Sequence, residues 1–322
     1  MEKKDATLYE VKIGPLPSDM YEYEFIIDGV PVLDPRNRAV THDGAWIQNR
    51  LMVPGKQAEL YDVNPVPHGK VTALWYLSPT LGQERRMVIY TPPGYEPGYD
   101  NATQQYPVLY LLHGGGGDEE VWQSRGRVNY ILDNLIAAGA AQPMLVVMPN
   151  GYPNYAGAPL HRPYATEQTP GISAMVSGRF ETSLIQDIVP YMEKHYRVKA
   201  NPDHRAITGF SMGGYHTQMI TNSNPGTFDY IGVMSMGLFN ELPGVEYSRE
   251  QHLRQLAALK NSQPKLYWIG MGTADFLYKS IAPLLALYDE AGLKYLYREN
   301  VGQHDWNSWR LYLTEFVPLL FH

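Results

Sequence analysis

The chain has 322 residues, 44% hydrophobic and 18% charged, with a formal net charge of −7 at pH 7 and no cysteine. That length buries a sizeable core as one large domain or two unequal ones, and the absent thiols exclude a disulfide scaffold, thiolate zinc or iron–sulfur ligation and a thiol nucleophile. A modest acidic balance without a Lys/Arg cluster offers no electrostatic footprint for nucleic acid or for an anionic membrane surface. Met1-Glu2-Lys3-Lys4 runs into no apolar core and the apolar stretches elsewhere are short, so neither a signal peptide nor a transmembrane helix is expected. The 25 tyrosines against 8 phenylalanines supply flat apolar rings with polar tips, which suit surfaces that hold sugars or phenolic rings.

In chain order, the first predicted element is Tyr21-Glu22-Tyr23-Glu24-Phe25-Ile26-Ile27, where large apolar and acidic residues alternate with period two before the turn dipeptide Asp28-Gly29. That predicts a half-buried strand entering a hairpin. Further turn chemistry at Asp34-Pro35 and Asp43-Gly44 separates short segments up to Leu51-Met52-Val53, with no helical period. Residues 1–62 therefore read as a small β module. Residues 63–69, with Pro65 and Pro67, read as an extended linker.

From Lys70 strands alternate with helices, which predicts an α/β domain over 70–322 built on a mainly parallel sheet. Val71 to Leu77 and Arg86 to Tyr90 form an antiparallel opening pair. Continuous apolar runs follow at Val108 to Leu112, Met144 to Met148, Arg205 to Gly209, Ile231 to Met234, Lys265 to Ile269 and Tyr295 to Glu299, the pattern of strands covered on both faces. Helical spacing marks Val128 to Ala138, Leu184 to Met192 and Ile281 to Ala291, the last closed by Gly292. Asn150 to Gly178 is long, aperiodic and rich in Pro, Gly and Tyr, so it is expected to be a lid over a site.

The sharpest chemical signal is Gly209-Phe210-Ser211-Met212-Gly213-Gly214, lying between an apolar strand and a segment that can be helical. A G-x-S-x-G string means little alone. In a strand–turn–helix setting it predicts a nucleophile elbow, with Ser211 in strained backbone geometry at the carboxyl end of a central strand. A serine hydroxyl needs a base, and that base needs an orienting acid. Asp275 follows the strand ending at Ile269, and His304 follows the strand ending at Glu299, in the chain order Ser, acid, His. Glu299 and Asp229 are rival acids; Asp305 adjoins His304 and has difficulty reaching the far ring nitrogen of its neighbour. The run His113-Gly114-Gly115-Gly116-Gly117-Asp118 after the strand ending at Leu112 places Gly115 as one oxyanion donor, with Met212 as the other. His195, His204 and His216 form no H-x-x-x-H pair, and no phosphate cradle follows any strand, so no metal and no cofactor is expected.

Leu111-Leu112-His113-Gly114, the helix Glu181 to Tyr191, His195-Tyr196-Arg197-Val198, the GFSMGG and GTAD strings and Gln303-His304-Asp305-Trp306 together resemble the esterase superfamily of α/β-hydrolases. Within it they are most similar to carbohydrate esterase family 1 feruloyl esterases. The resemblance spans nearly all of 70–322 and implies the triad Ser211, Asp275 and His304; Gln303 stands where members often carry glycine. Tyr21 to Ile27 with Asp34-Pro35-Arg36-Asn37 resembles the later half of an early-set, immunoglobulin-like module akin to carbohydrate-binding family 48, its opening strands missing. That leaves an incomplete sandwich whose free edge could pair with a second copy of the chain. The resemblance implies a secreted or periplasmic enzyme acting on feruloylated arabinoxylan or its oligosaccharides. Acetyl-xylan esterase and enterobactin-type siderophore esterase are the alternatives within the superfamily, and a carbohydrate-binding protein or acyltransferase is the alternative outside it. Tyr152, Tyr155 and Tyr164 in the lid favour a neutral phenolic or sugar substrate, as does its single cation, Arg162. Trp306 is the expected platform for an aromatic acyl group.

Overall fold

A computed structural model describes residues 2–5, 9–96, 103–161 and 172–322. The N-terminal strands are β1 (Glu2–Lys3), β2 (Tyr9–Glu10), β3 (Asp19–Tyr23), β4 (Phe25–Ile27), β5 (Val30–Val32), β6 (Val40–Asp43) and β7 (Trp46–Val53). The alternation at Tyr21 to Ile27 is thus two strands, broken at Glu24: β3 pairs antiparallel with β7, whereas β4 pairs only with β5 across the Asp28-Gly29 turn. Alternation alone is blind to such a change of partner. A short helix, α1 (Lys56–Glu59), closes this region.

The body is an eight-stranded sheet of β8 (Lys70–Ser78), β9 (Gln83–Thr91), β10 (Val108–Leu112), β11 (Leu145–Pro149), β12 (Arg205–Phe210), β13 (Tyr230–Met234), β14 (Leu266–Gly272) and β15 (Leu296–Asn300). Its order is β15-β14-β13-β12-β10-β11-β9-β8. β8 and β9 are the expected antiparallel pair, β9 joins β11 antiparallel, and every pair from β11 to β15 is parallel. The covering helices are α2 (Val121–Ser124), α3 (Val128–Ala137), α4 (Ile172–Met175), α5 (Arg179–Ser183), α6 (Val189–His195), α7 (Met212–Ser223), α8 (Arg249–Asn261), α9 (Ile281–Ala291) and α10 (Trp306–Phe316). The helix expected over Leu184 to Met192 widens into a π turn at Leu184–Ile188, where Pro190 has no amide to donate back along the ladder.

Along β10, Val108, Tyr110 and Leu112 face one core layer with Leu184, Ile188, Tyr215 and Leu284, while Leu109 and Leu111 face the other with Ile131, Trp309 and Phe316. The second layer also contains Met20, Ala58 and Tyr61 from the N-terminal region, each at most 1% exposed. Burying Met20 alone contributes about 1.5–3 kcal/mol. Polar contacts reinforce the seam. Arg310 of α10, itself fully buried, donates to Asp19 (3.1 Å) and to the Met20 carbonyl (2.8 Å), and Arg127 donates to the Tyr61 carbonyl (3.0 Å). The segments that composition separates therefore share one hydrophobic layer.

Candidate active site

Ser211 sits between β12 and α7 with φ 53° and ψ −118°, the strained left-handed turn that the elbow pattern predicts. Its amide is tied to the Met234 carbonyl at 3.0 Å. Gly213 explains the small residues of the motif: a Cβ there would stand 2.6 Å from the Leu112 carbonyl oxygen, so only glycine lets α7 start this close to β10. Met212 opens α7, and amides in a first helical turn have no partner within the helix.

β14 runs three residues past its expected end, because Gly270, Met271 and Gly272 pair in register with Arg298, Glu299 and Asn300 of β15. Gly272 acts here as a close-approach residue rather than a breaker, since a Cβ would lie 2.1 Å from the Gly302 carbonyl. Thr273 and Ala274 then donate to the Asn300 and Gly302 carbonyls, lacing the two loops together. This lacing brings Asp275 to His304. The imidazole Nδ1 donates to both carboxylate oxygens, at 3.0 and 2.9 Å, and the Asp275 side chain is fully buried and also accepts from the Leu277 amide at 2.8 Å. The rival acids are engaged elsewhere: Glu299 accepts from the hydroxyls of Tyr278 and Tyr297, Asp229 lies before β13 at the opposite edge of the sheet, and Asp305 caps α10 by accepting from Ser308. A chain of rings runs from the Ser211 turn to His304. Phe210, next to Ser211, stacks on Trp309 with centroids 3.8 Å apart, and Trp309 meets the His304 ring edge-on at 5.1 Å.

In the glycine run after β10, Gly114 packs against Phe210 of the elbow, where a Cβ would lie 2.3 Å from the ring, Gly115 is exposed, and Gly116 donates its amide to the Tyr152 hydroxyl at 2.8 Å. His113 braces the loop, donating from Nδ1 to the Gly114 carbonyl and accepting at Nε2 from the Gly151 amide, both at 2.8 Å. Complete burial pushes its pKa down to about 4, so the ring is a neutral spacer rather than a second base. Sequence reasoning passed over His113, although its place directly before the glycines was a usable signal.

Two expectations about the substrate surface need correction. Trp306 is no open platform: it is 5% exposed, its ring is covered by Trp122, Phe210 and Trp309, and its N–H donates to Asp43 at 3.1 Å. A Trp opening an amphipathic helix has a ready core to enter, and this one does. The first part of the expected lid is a fixed wall. Arg85 of β9, fully buried, donates to the carbonyls of Asn150 (2.5 Å) and Tyr152 (2.6 Å), while Glu119 accepts from Asn150 (2.9 Å) and Ala158 (2.8 Å). Tyr152 and Tyr155 are accordingly buried against Met212 and Met175. Tyr164 lies outside the described residues. The open aromatic rings near the site are ones that sequence reasoning missed: Phe276, 74% exposed with its centroid 4.3 Å from that of His304, and Trp46 on β7. Among the described residues no group of His, Asp and Glu could hold a metal ion, and no helix is long and apolar enough to cross a membrane.

A mostly parallel sheet with an antiparallel opening strand, a strained serine between strand and helix, and a histidine–aspartate pair at the same sheet edge define an α/β-hydrolase. Residues 78–320 match the family model described as "Putative esterase", and the chain belongs to that family. It is 31% identical over 230 residues to an endo-1,4-beta-xylanase/feruloyl esterase of Xylanibacter ruminicola, a match covering 70% of this chain and 30% of that protein. The chain thus spans under a third of the length of that curated relative. Among solved structures it is similar to a ferulic acid esterase (27% identity, TM-score 0.62, 79% of this chain and 98% of that one). It also shares its fold with the CE1 ferulic acid esterase of Anaeromyces mucronatus (23% identity, TM-score 0.67, 82% and 95%).

Proposed function

We propose that the protein is a serine esterase that releases hydroxycinnamate, ferulate foremost, from arabinoxylan-derived esters. The observation that carries the reaction type is the buried Asp275 carboxylate holding His304 Nδ1 with both oxygens, at the sheet edge where Ser211 is strained outward. With Nδ1–H fixed, Nε2 is the nitrogen left to take the Ser211 proton as the hydroxyl attacks the ester carbonyl. The amides of Gly115 and Met212 receive the developing oxyanion. The alcohol departs with the proton from Nε2, leaving an acyl-serine; His304 then draws a proton from water as its oxygen attacks the acyl carbon, and returns that proton to Ser211 Oγ as the serine departs and the acid is freed.

The preference for a phenolic acyl group is supported by the names of the relatives. The test compares ferulate with acetate release from one feruloylated, acetylated xylan by the wild-type enzyme and by Ser211→Ala. Ferulate should dominate and vanish in the variant. Acetate without ferulate would move the assignment to acetyl-xylan hydrolysis, and an unchanged rate in Ser211→Ala would overturn the mechanism.

A further inference from the structure

The β6–β7 hairpin carries the N-terminal module into the catalytic neighbourhood. Its tip, Asp43-Gly44-Ala45-Trp46, rests on the glycine loop: a Cβ on Gly44 would lie 2.0 Å from the Gly116 carbonyl oxygen, one on Gly117 would lie 3.1 Å from Asp43 Oδ1, and one on Gly116 would lie 3.3 Å from the Trp46 ring. On its other flank the hairpin touches the segment after His304, where Asp43 accepts the Trp306 N–H at 3.1 Å. One short hairpin therefore contacts both elements assigned to the reacting oxygens, the oxyanion loop and the histidine loop.

Trp46 is nevertheless 65% exposed. Most tryptophans find cover, so a large ring left open at the rim of a site is apolar surface awaiting a partner. Asp43 lies directly across the hairpin from it, and Gln48 lies two residues along β7 on the same face. Arg125 donates to both of these side chains. A flat ring bordered by such hydrogen-bonding groups matches a sugar, which offers a C–H face to the ring and hydroxyls to the border. Acyl-transfer geometry points the same way. The carbonyl oxygen enters the oxyanion hole and the alcohol oxygen must lie within reach of His304, so the alcohol leaves on the His304 side of the ester. A bulky alcohol is then carried out past the His304 segment, which the hairpin touches through Asp43 and Trp306.

Resting on the ester-hydrolase reading above, we infer that Trp46 is a specificity residue contributed by the N-terminal module, stacking on a sugar ring in the alcohol part of the ester. The test measures kcat/KM for a feruloylated arabinoxylo-oligosaccharide and for methyl ferulate, which share the acyl group and differ in the alcohol. Trp46→Ala should lower the oligosaccharide-to-methyl ratio about five- to tenfold, mainly through KM, and Trp46→Phe should restore most of it. An unchanged ratio in an active enzyme overturns the inference. So does an equal loss on both esters, which would make Trp46 a support for the glycine loop. A wild-type enzyme inactive on both would overturn the underlying reading, and this one with it.

Discussion

Gly44→Ala tests whether the N-terminal hairpin sets the position of the proposed oxyanion loop. The added methyl would lie 2.0 Å from the Gly116 carbonyl oxygen, whereas real Cβ contacts keep at least 3.0 Å, so one of the two backbones must retreat by about 1 Å. No rotamer relieves a methyl against a carbonyl. Gly116 adjoins the proposed donor Gly115 and is itself held by Tyr152, and a 1 Å displacement of preorganised groups costs about 10²-fold in rate. Residue 44 also has φ +56°, a region where alanine costs about 1–2 kcal/mol. Gly29→Ala separates the two effects: its φ is +83°, and nothing stands within 4 Å of the new methyl. Both variants should unfold at lower urea concentration, Gly44→Ala the lower of the two because it carries the clash as well as the strain. On methyl ferulate, only Gly44→Ala should lose kcat, by about 10²-fold with KM little changed. If Gly44→Ala kept kcat within about threefold of wild type, the hairpin would be yielding outward and the loop would not depend on it.

Two further outcomes probe the core. Arg310→Met should destabilise the fold by about 3–5 kcal/mol in urea titrations, because the Asp19 carboxylate loses its buried cation; adding Asp19→Asn should recover part of the loss, and a cost below about 1 kcal/mol would refute the seam's importance. Glu181 is 8% exposed, neither of its oxygens has a hydrogen-bond partner among the described residues, and burial pushes its pKa up to about 7. The folded chain thus retains a proton that the unfolded chain releases, so this group costs stability as pH rises from about 4.5 to 7. Glu181→Gln should be near neutral at pH 5 and stabilising by about 2–3 kcal/mol at pH 8.5. His216 Nε2 lies 3.9 Å from this carboxylate, but burial pushes its pKa down to about 4, so the ring is neutral at both pH values, and an equal effect at the two would refute the assignment.

The parts of the fold that are covered on both faces were legible in the residues. Val108–Leu112 and Ile281–Ala291 end where apolar runs and turn residues predict, and Gly292 takes the left-handed cap conformation. Asp275 and His304 were readable because strand ends and chain order constrain them before any contact is known. What escaped was set by distant neighbours. Gly272 looks like a strand terminator until Gly302 lies against it. Trp306 looks like a surface platform until three rings cover it. The hairpin's approach to the site was hidden most deeply: 263 positions separate Asp43 from Trp306, and turn chemistry at Asp43-Gly44 announces a bend without saying what the bend touches.

The shared layer formed by Met20, Ala58 and Tyr61 with α3 and α10 bears on how such a chain changes over generations. A cassette joined by a free linker can be exchanged for another without asking anything of its neighbour. This one cannot, since a crossover at residues 63–69 would bring together two surfaces that never adapted to each other, with Arg310 facing a foreign partner and the glycine loop losing its outer support. The N-terminal segment and the hydrolase body must therefore drift in step, and substitutions on one side of the seam are expected to be matched by compensating substitutions on the other.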